Sequence, residues 1–250
     1  MTDYSHFRRG IDNYEKGNYQ EAISDFNKVI ESNPILVDAY YNRGLAYVEI
    51  ENYSQAILDF TKAIELNPNE ANNYFFRGLV YIKTEKYSQA ILDFTKVIEL
   101  NPNDIYAYNN RGIAYKQLEN YSKVISDFTK VIELNPNYAD AFNHRGFSYV
   151  RIGDYSKAII DFTKSIELNP NDEKVYIHRG LANVEIENYF QAIFDHTKAI
   201  ELNPNNGSAY FGRGIAYILT NNLSQACSDW QKAHQLGHKK ALDLIKKHCK

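Results

Sequence analysis

Along "YSQAILDFTKAIEL", residues 53–66, Tyr53, Ala56, Ile57, Phe60, Ala63 and Ile64 form one apolar series, with Leu58 and Leu66 outside it. Steps of three and four mark one face of an α-helix. The preceding stretch "VDAYYNRGLAYVE", residues 37–49, carries the same period through Val37, Tyr40, Tyr41, Gly44, Leu45 and Val48. A short break, Ile50-Glu51-Asn52, separates the two, and Asn67-Pro68-Asn69 stops the second. Proline lacks the N–H that would continue a helix and obstructs the turn before it. The pattern predicts a helix, a tight turn, a second helix and a stop.

The same unit recurs along the whole chain. Arg-Gly pairs stand at 9/10, 43/44, 77/78, 111/112, 145/146, 179/180 and 213/214, always 34 residues apart, and all six prolines, from Pro34 to Pro204, keep that spacing. Breaks fall at Gly17, Gly153 or an Asn-Tyr step, and Asn69, Asn103, Asn137, Asn171 and Asn205 are placed to cap the following helix. In the second unit Tyr40, Gly44, Tyr47, Ala56, Phe60 and Pro68 follow in the order of the tetratricopeptide repeat signature. The chain resembles that family over residues 3 to about 238. The resemblance implies an all-α, right-handed α-solenoid of seven antiparallel helix pairs plus a C-terminal capping helix. Its units are 3–36, 37–70, 71–104, 105–138, 139–172, 173–206 and 207–238, with the cap at 239–250. First helices (A) would line a concave face and second helices (B) a convex one.

Glycine inside a helix costs about 1 kcal/mol relative to alanine, so its recurrence needs a reason. Each glycine is expected to face a small residue of helix B, namely Ala22, Ala56, Ala90, Ala158, Ala192 or Ala226, with Val124 opposite Gly112. Each arginine is matched sixteen residues later by Asp25, Asp59, Asp93, Asp127, Asp161, Asp195 or Asp229, which predicts an ion pair from A to B that fixes register. Most of the 21 tyrosines occupy three repeat slots, such as Tyr40, Tyr47 and Tyr53, and are expected in the core with Phe26, Phe60, Phe94, Phe128, Phe162 and Trp230. The sixth repeat departs from this, with Asn183 in a tyrosine slot and His196 in a phenylalanine slot. A hydrogen bond between those two is the expected resolution. At the first repeat, Ser5, His6, Asp12 and Asn13 replace small or apolar residues and core tyrosines, as expected of a polar end at a true N-terminus.

Function should sit where packing does not dictate the residue. On a helical wheel with Tyr40, Gly44 and Tyr47 facing helix B, the variable slots hold Asn42, Phe76, Asn110, His144 and His178, then Tyr106 and Lys174, then Phe75, Asn109 and Asn143. These residues form the candidate peptide-binding set, with side chains expected to point away from helix B. The amides suit main-chain groups of an extended peptide, and the aromatic residues suit its apolar side chains. The clamp for a carboxylate tail known in some co-chaperones of the family is absent, because Phe7, Tyr41, Phe75 and Ile11, Leu45, Leu79 fill its slots. The Asn42 and Asn110 slot resembles, in part, the asparagine ladder of the superhelix in O-linked N-acetylglucosamine transferases.

Composition narrows the remaining classes. The 250 residues carry a formal net charge of -3 and 24% charged residues, which opposes the basic surface that nucleic acid requires. The start, MTDYSHFRRG, has no apolar leader, and no apolar run approaches a membrane span, so a cytoplasmic setting is expected. Cys227 and Cys249 form no CxxC and prescribe no disulfide framework. A reducing compartment and an inert, buried Cys227 thiol are the expectation. No phosphate loop, HExxH or GxSxG occurs, and His234 and His238 are separated by Gly237 where helix B should end. The reading is therefore a non-enzymatic adaptor, expected to be a monomer, without cofactor or metal, that holds a protein or peptide segment in its groove. The alternative is a structural module that self-associates through its convex face.

Overall fold

The computed structural model describes residues 3–249, the side chain of Asp3 excepted. Among these residues the chain is all-α, with fifteen helices and no strand. It divides into two compact halves, one ending at Asn120 and the other beginning at Tyr121.

In the N-terminal half the order is α1 (Asp3–Glu15), α2 (Tyr19–Ser32), α3 (Val37–Glu49), α4 (Tyr53–Leu66), α5 (Ala71–Lys83), α6 (Tyr87–Leu100) and α7 (Ile105–Gln117). The C-terminal half holds α8 (Tyr121–Leu134), α9 (Ala139–Arg151), α10 (Tyr155–Leu168), α11 (Glu173–Glu185), α12 (Tyr189–Leu202), α13 (Gly207–Leu219), α14 (Leu223–Gln235) and α15 (Ala241–His248). Within each half every helix packs on the next, so A and B helices alternate as the 34-residue period implies. The A-to-B turn places one residue in the left-handed region, which suits Gly17 and Gly153. Glu51, Glu85, Glu119, Glu187 and Asn221 adopt it at φ of 55–61°. The B-to-A turn is built differently from the expectation. In Asn-Pro-Asn the first asparagine accepts the backbone N–H of the second, as Asn67 does from Asn69 at 3.3 Å. The cap falls one residue later, where Glu70, Asp104, Asp172 and Asn206 accept N–H groups of the next helix.

The glycines do not face alanine. A Cβ at Gly44 would lie 3.0 Å from the Phe60 ring, one at Gly180 2.9 Å from His196, and one at Gly214 2.5 Å from Trp230. Both partners of an Arg-Gly pair sit sixteen residues on, as an Asp-aromatic pair. Gly10, Gly44, Gly78, Gly146, Gly180 and Gly214 therefore make room for the large side chain of their own helix B, and the nearby alanines are buried without being their contact.

The ion pairs do form, and they reach further than expected. Arg43 pairs with Asp59 at 2.6 Å, Arg77 with Asp93 at 2.7 Å, Arg145 with Asp161 at 2.8 Å and Arg213 with Asp229 at 2.8 Å. The free Nη1 of Arg77, Arg145 and Arg213 donates to Thr61, Thr129 and Thr197 on the helix B of the preceding repeat, at 2.9–3.1 Å. One guanidinium thus bridges two repeats. Half-buried tyrosines flank it, since Arg77 lies 5.9 Å from the Tyr74 ring centre and 5.8 Å from that of Tyr81. Those tyrosines are the sides of an arginine slot rather than a dry core. Burial pushes the Asp59 and Asp93 carboxyls up against the hydrogen bonds of Arg43 and Arg77, so desolvation offsets much of the attraction.

Asn183 and His196 do not bond to each other. Asn183 donates to the Asp195 carboxylate at 3.2 Å and to the Arg179 carbonyl oxygen, and its own oxygen accepts from Asn188. The equivalent Asn13 likewise donates to Asp25, at 3.1 Å. An asparagine in this slot is short enough to reach the aspartate of the Arg–Asp pair, a stronger acceptor than imidazole. His196 is fully buried with both ring nitrogens unpartnered.

Cysteine is the other correction. Cys227 and Cys249 form a disulfide with Cα atoms 5.6 Å apart. Helix α15 folds back on α14, covers Trp230 and Ala233, and carries Cys249 to the half-buried Cys227, so Cys227 is not a free inert thiol.

Candidate functional site

The candidate side chains all lie on A helices, but few of them project freely. Phe75 and Phe76 pack edge to face with each other, Phe76 stacks on Phe60 and Phe75 meets Phe94. His144 stacks on Phe128, with ring centres 4.8 Å apart, and His178 lies against Phe162. The slot that the helical wheel turned away from helix B therefore rests on the helix B of the preceding repeat, because a single pair's wheel ignores its neighbour. His178 Nδ1 is 3.2 Å from Asn143 Oδ1, which joins two candidates of the fifth and sixth repeats. Asn42 and Asn110 donate to the carbonyl oxygens of Asp38 and Tyr106, four residues back on their own helices. Asn109 is half-buried, while Tyr106 and Lys174 are exposed.

Cavities in the N-terminal half lie between consecutive A helices. One of about 320 Å³ is lined by Tyr4 and Phe7 of α1 with Leu36 and Asp38. A second of about 210 Å³ lies between α3 and α5, lined by Val37, Asp38, Tyr41, Asn67, Glu70, Asn72 and Asn73. Of this set Asp38, Tyr41 and Asn72 stand in the variable slots of the A helices, and none of the seven belongs to the candidate peptide-binding set. The overlooked signal was Asn73 itself, in a slot that holds Ala39, Ala107, Ala141, Val175 and Ala209 in later or earlier repeats. A third cavity, of about 540 Å³, sits beside the disulfide and is lined in part by Leu223, Ser228, Gln231 and His248. It lies on helix B and the terminal helix, away from the A helices. No cluster of three or more His, Cys, Asp or Glu side chains among the described residues could hold a metal.

Repeated helix pairs with a buried Arg–Asp tie and a glycine under the helix-B ring define a helical-repeat protein. The sequence matches the tetratricopeptide repeat at 37–70, 105–138, 139–172 and 197–235, and the TPR repeat at 12–51 and 78–119, and the chain belongs to the tetratricopeptide repeat family. Repeat sequence thus accounts for 12–70, 78–172 and 197–235. No curated protein matches it. Among solved structures, the C-terminal part of a TPR repeat-containing protein from Cytophaga hutchinsonii is similar at a TM-score of 0.79 and 23% identity, over 95% of this chain and 98% of that one. YrrB, described as a TPR protein with an unusual peptide-binding site, is similar at 0.66 and 24% identity, over 75% and 97%. MamA is similar at 0.65 and 24%, over 69% and 94%. No described helix is long and apolar enough to cross a membrane.

Proposed function

We propose that this protein is a non-catalytic adaptor that holds an extended segment of a partner protein along its A helices. The observation that carries the reading is the pair of cavities between α1, α3 and α5, set where repeat packing leaves gaps between consecutive A helices. TPR proteins generally mediate protein–protein contacts, and YrrB has a peptide-binding site by description. The near-neutral charge speaks against a nucleic-acid partner. A cytoplasmic monomer is the form we propose, with the Cys227–Cys249 bridge then in exchange with the thiol pool. Hydrogen-exchange mapping with a random peptide pool tests the reading. New protection should fall on A helices, and Tyr106→Ala should weaken it without altering unfolding, because that side chain is 69% exposed. Protection confined to B helices would overturn the reading.

One observation favours the self-association alternative. On α12 the outward Phe190 and Phe194 are 80% and 50% exposed, and Ile160 on α10 is 68% exposed. Sedimentation at rising concentration decides it: a dimer that Phe190→Ser abolishes would establish this face as the working surface.

A further inference from the structure

Asn73 is a polar residue in a slot that alanine or valine fills in five other repeats. Its side chain is fully buried, and neither Oδ1 nor Nδ2 has a hydrogen-bond partner. An unpartnered buried amide opposes folding, so packing alone would favour alanine here too. Asn73 is instead one of the residues around the 210 Å³ cavity, together with Asp38 and Glu70. Those two carboxylates are the charged groups of its wall, with no lysine or arginine among the lining residues. Tyr41 forms part of the same wall and is held edge to face by Phe60 and Phe76, which keeps that side rigid. Asp38 also belongs to the neighbouring apolar cavity of Tyr4, Phe7 and Leu36, so the two spaces meet at one side chain.

We infer that these two cavities form one recognition site for a peptide carrying an apolar side chain beside an arginine or lysine. This rests on the adaptor reading above and names the chemistry of its ligand. A primary amide offers one acceptor and a donor pair, the complement of a main-chain peptide group. Asn73 would take that peptide group, and the carboxylates of Asp38 and Glu70 the cation in charge-assisted hydrogen bonds. Glu70 already accepts the Asn72 N–H at 3.3 Å as helix cap, which fixes its carboxylate and leaves lone pairs for a ligand. The apolar side chain would enter beside Phe7 and Leu36, where burial supplies affinity without direction.

The test is a titration of the isotope-labelled full chain, followed by its amide resonances, with the dipeptides Ac-Leu-Arg-NH2 and Ac-Leu-Gln-NH2. Saturating shifts should fall at residues 37–41 and 70–73, with the arginine peptide bound at least about tenfold more tightly. Asn73→Ala should lose that binding while its melting temperature holds or rises, because the variant carries the residue of the sister repeats. Asp38→Asn with Glu70→Gln should erase the preference for arginine. Equal response to both dipeptides, or wild-type binding by Asn73→Ala, would overturn the site and leave the cavity to water. Shifts confined to α9 and α11 would overturn it while keeping the adaptor reading. Shifts confined to B helices, or none at all, would overturn both.

Discussion

Gly212 lies directly over the buried imidazole of His196, so close that a Cβ at Gly212 would stand 2.5 Å from Nε2. The glycine belongs to α13 and the histidine to α12, one repeat earlier. Gly180 meets the same ring, and a Cβ there would be 2.9 Å away. Gly212→Ala should therefore cost about 1–3 kcal/mol, the usual range for overpacking. In a His196→Ala background the same change should be neutral or favourable, since alanine is the better helix former. A double-mutant cycle by urea unfolding reads the coupling, and an equal cost in both backgrounds would contradict the contact.

Burial pushes the His196 imidazole down from 6.5 to about 4, with the Arg213 charge acting in the same direction. Asp195 and Asp229 are engaged by Arg179 and Arg213 and offer it no counter-charge. The unfolded chain thus binds this proton between pH 6.5 and 4 while the folded chain does not. Stability falls as pH drops through that window and levels off below it. Compared with His196→Phe, the wild-type protein should lose about 3 kcal/mol between pH 7 and pH 4. Paired unfolding curves at those two pH values check it, and carboxylate effects common to both proteins cancel in the difference.

The Arg77 and Asp93 side chains are 16% and 5% exposed, whereas Lys96 and Glu99 are paired at 3.0 Å in the open, at 40% and 59%. Asp93→Ala strands a buried guanidinium and should cost about 3–5 kcal/mol. Glu99→Ala should cost no more than about 0.5 kcal/mol. Replacing both members of the buried pair, Arg77→Met with Asp93→Leu, should recover most of the loss. Chemical denaturation of the three variants distinguishes register from net stabilisation.

The bridge closes a sequence separation of 22 residues. In the chain-entropy treatment a loop of that size is worth about 3 kcal/mol. Cys249→Ser, or a reducing agent, should raise hydrogen exchange in α14 and α15, where α15 covers Trp230, and leave α1 to α7 unchanged. Native-state exchange with and without dithiothreitol measures this, and uniform loosening would show that the bridge does more than hold the terminal helix.

The 34-residue period, the helix pairs and the Arg–Asp partners were all legible in the order of residues. Period and capping act within one turn of helix, and an offset repeated seven times reports a contact directly. What lay beyond such reading depended on packing between helices. Gly44 meets Phe60 rather than Ala56 within its own pair, because the ring is long enough to fill the space a missing Cβ leaves. His144 rests on Phe128 because α9 lies between α8 and α10, and a wheel drawn for one pair sees a single neighbour. Asn183 chose Asp195 over His196 because it could reach a charged acceptor. The fold-back of α15, which a lone pair of cysteines does not announce, made the bridge. Asn73 was visible as a letter, but only packing closed its surroundings and left its amide without a partner. By itself the sequence determined the helices and their register, which are set by local geometry. The tertiary structure decided which polar groups were satisfied and where space remained, since burial belongs to all the neighbours of a side chain together.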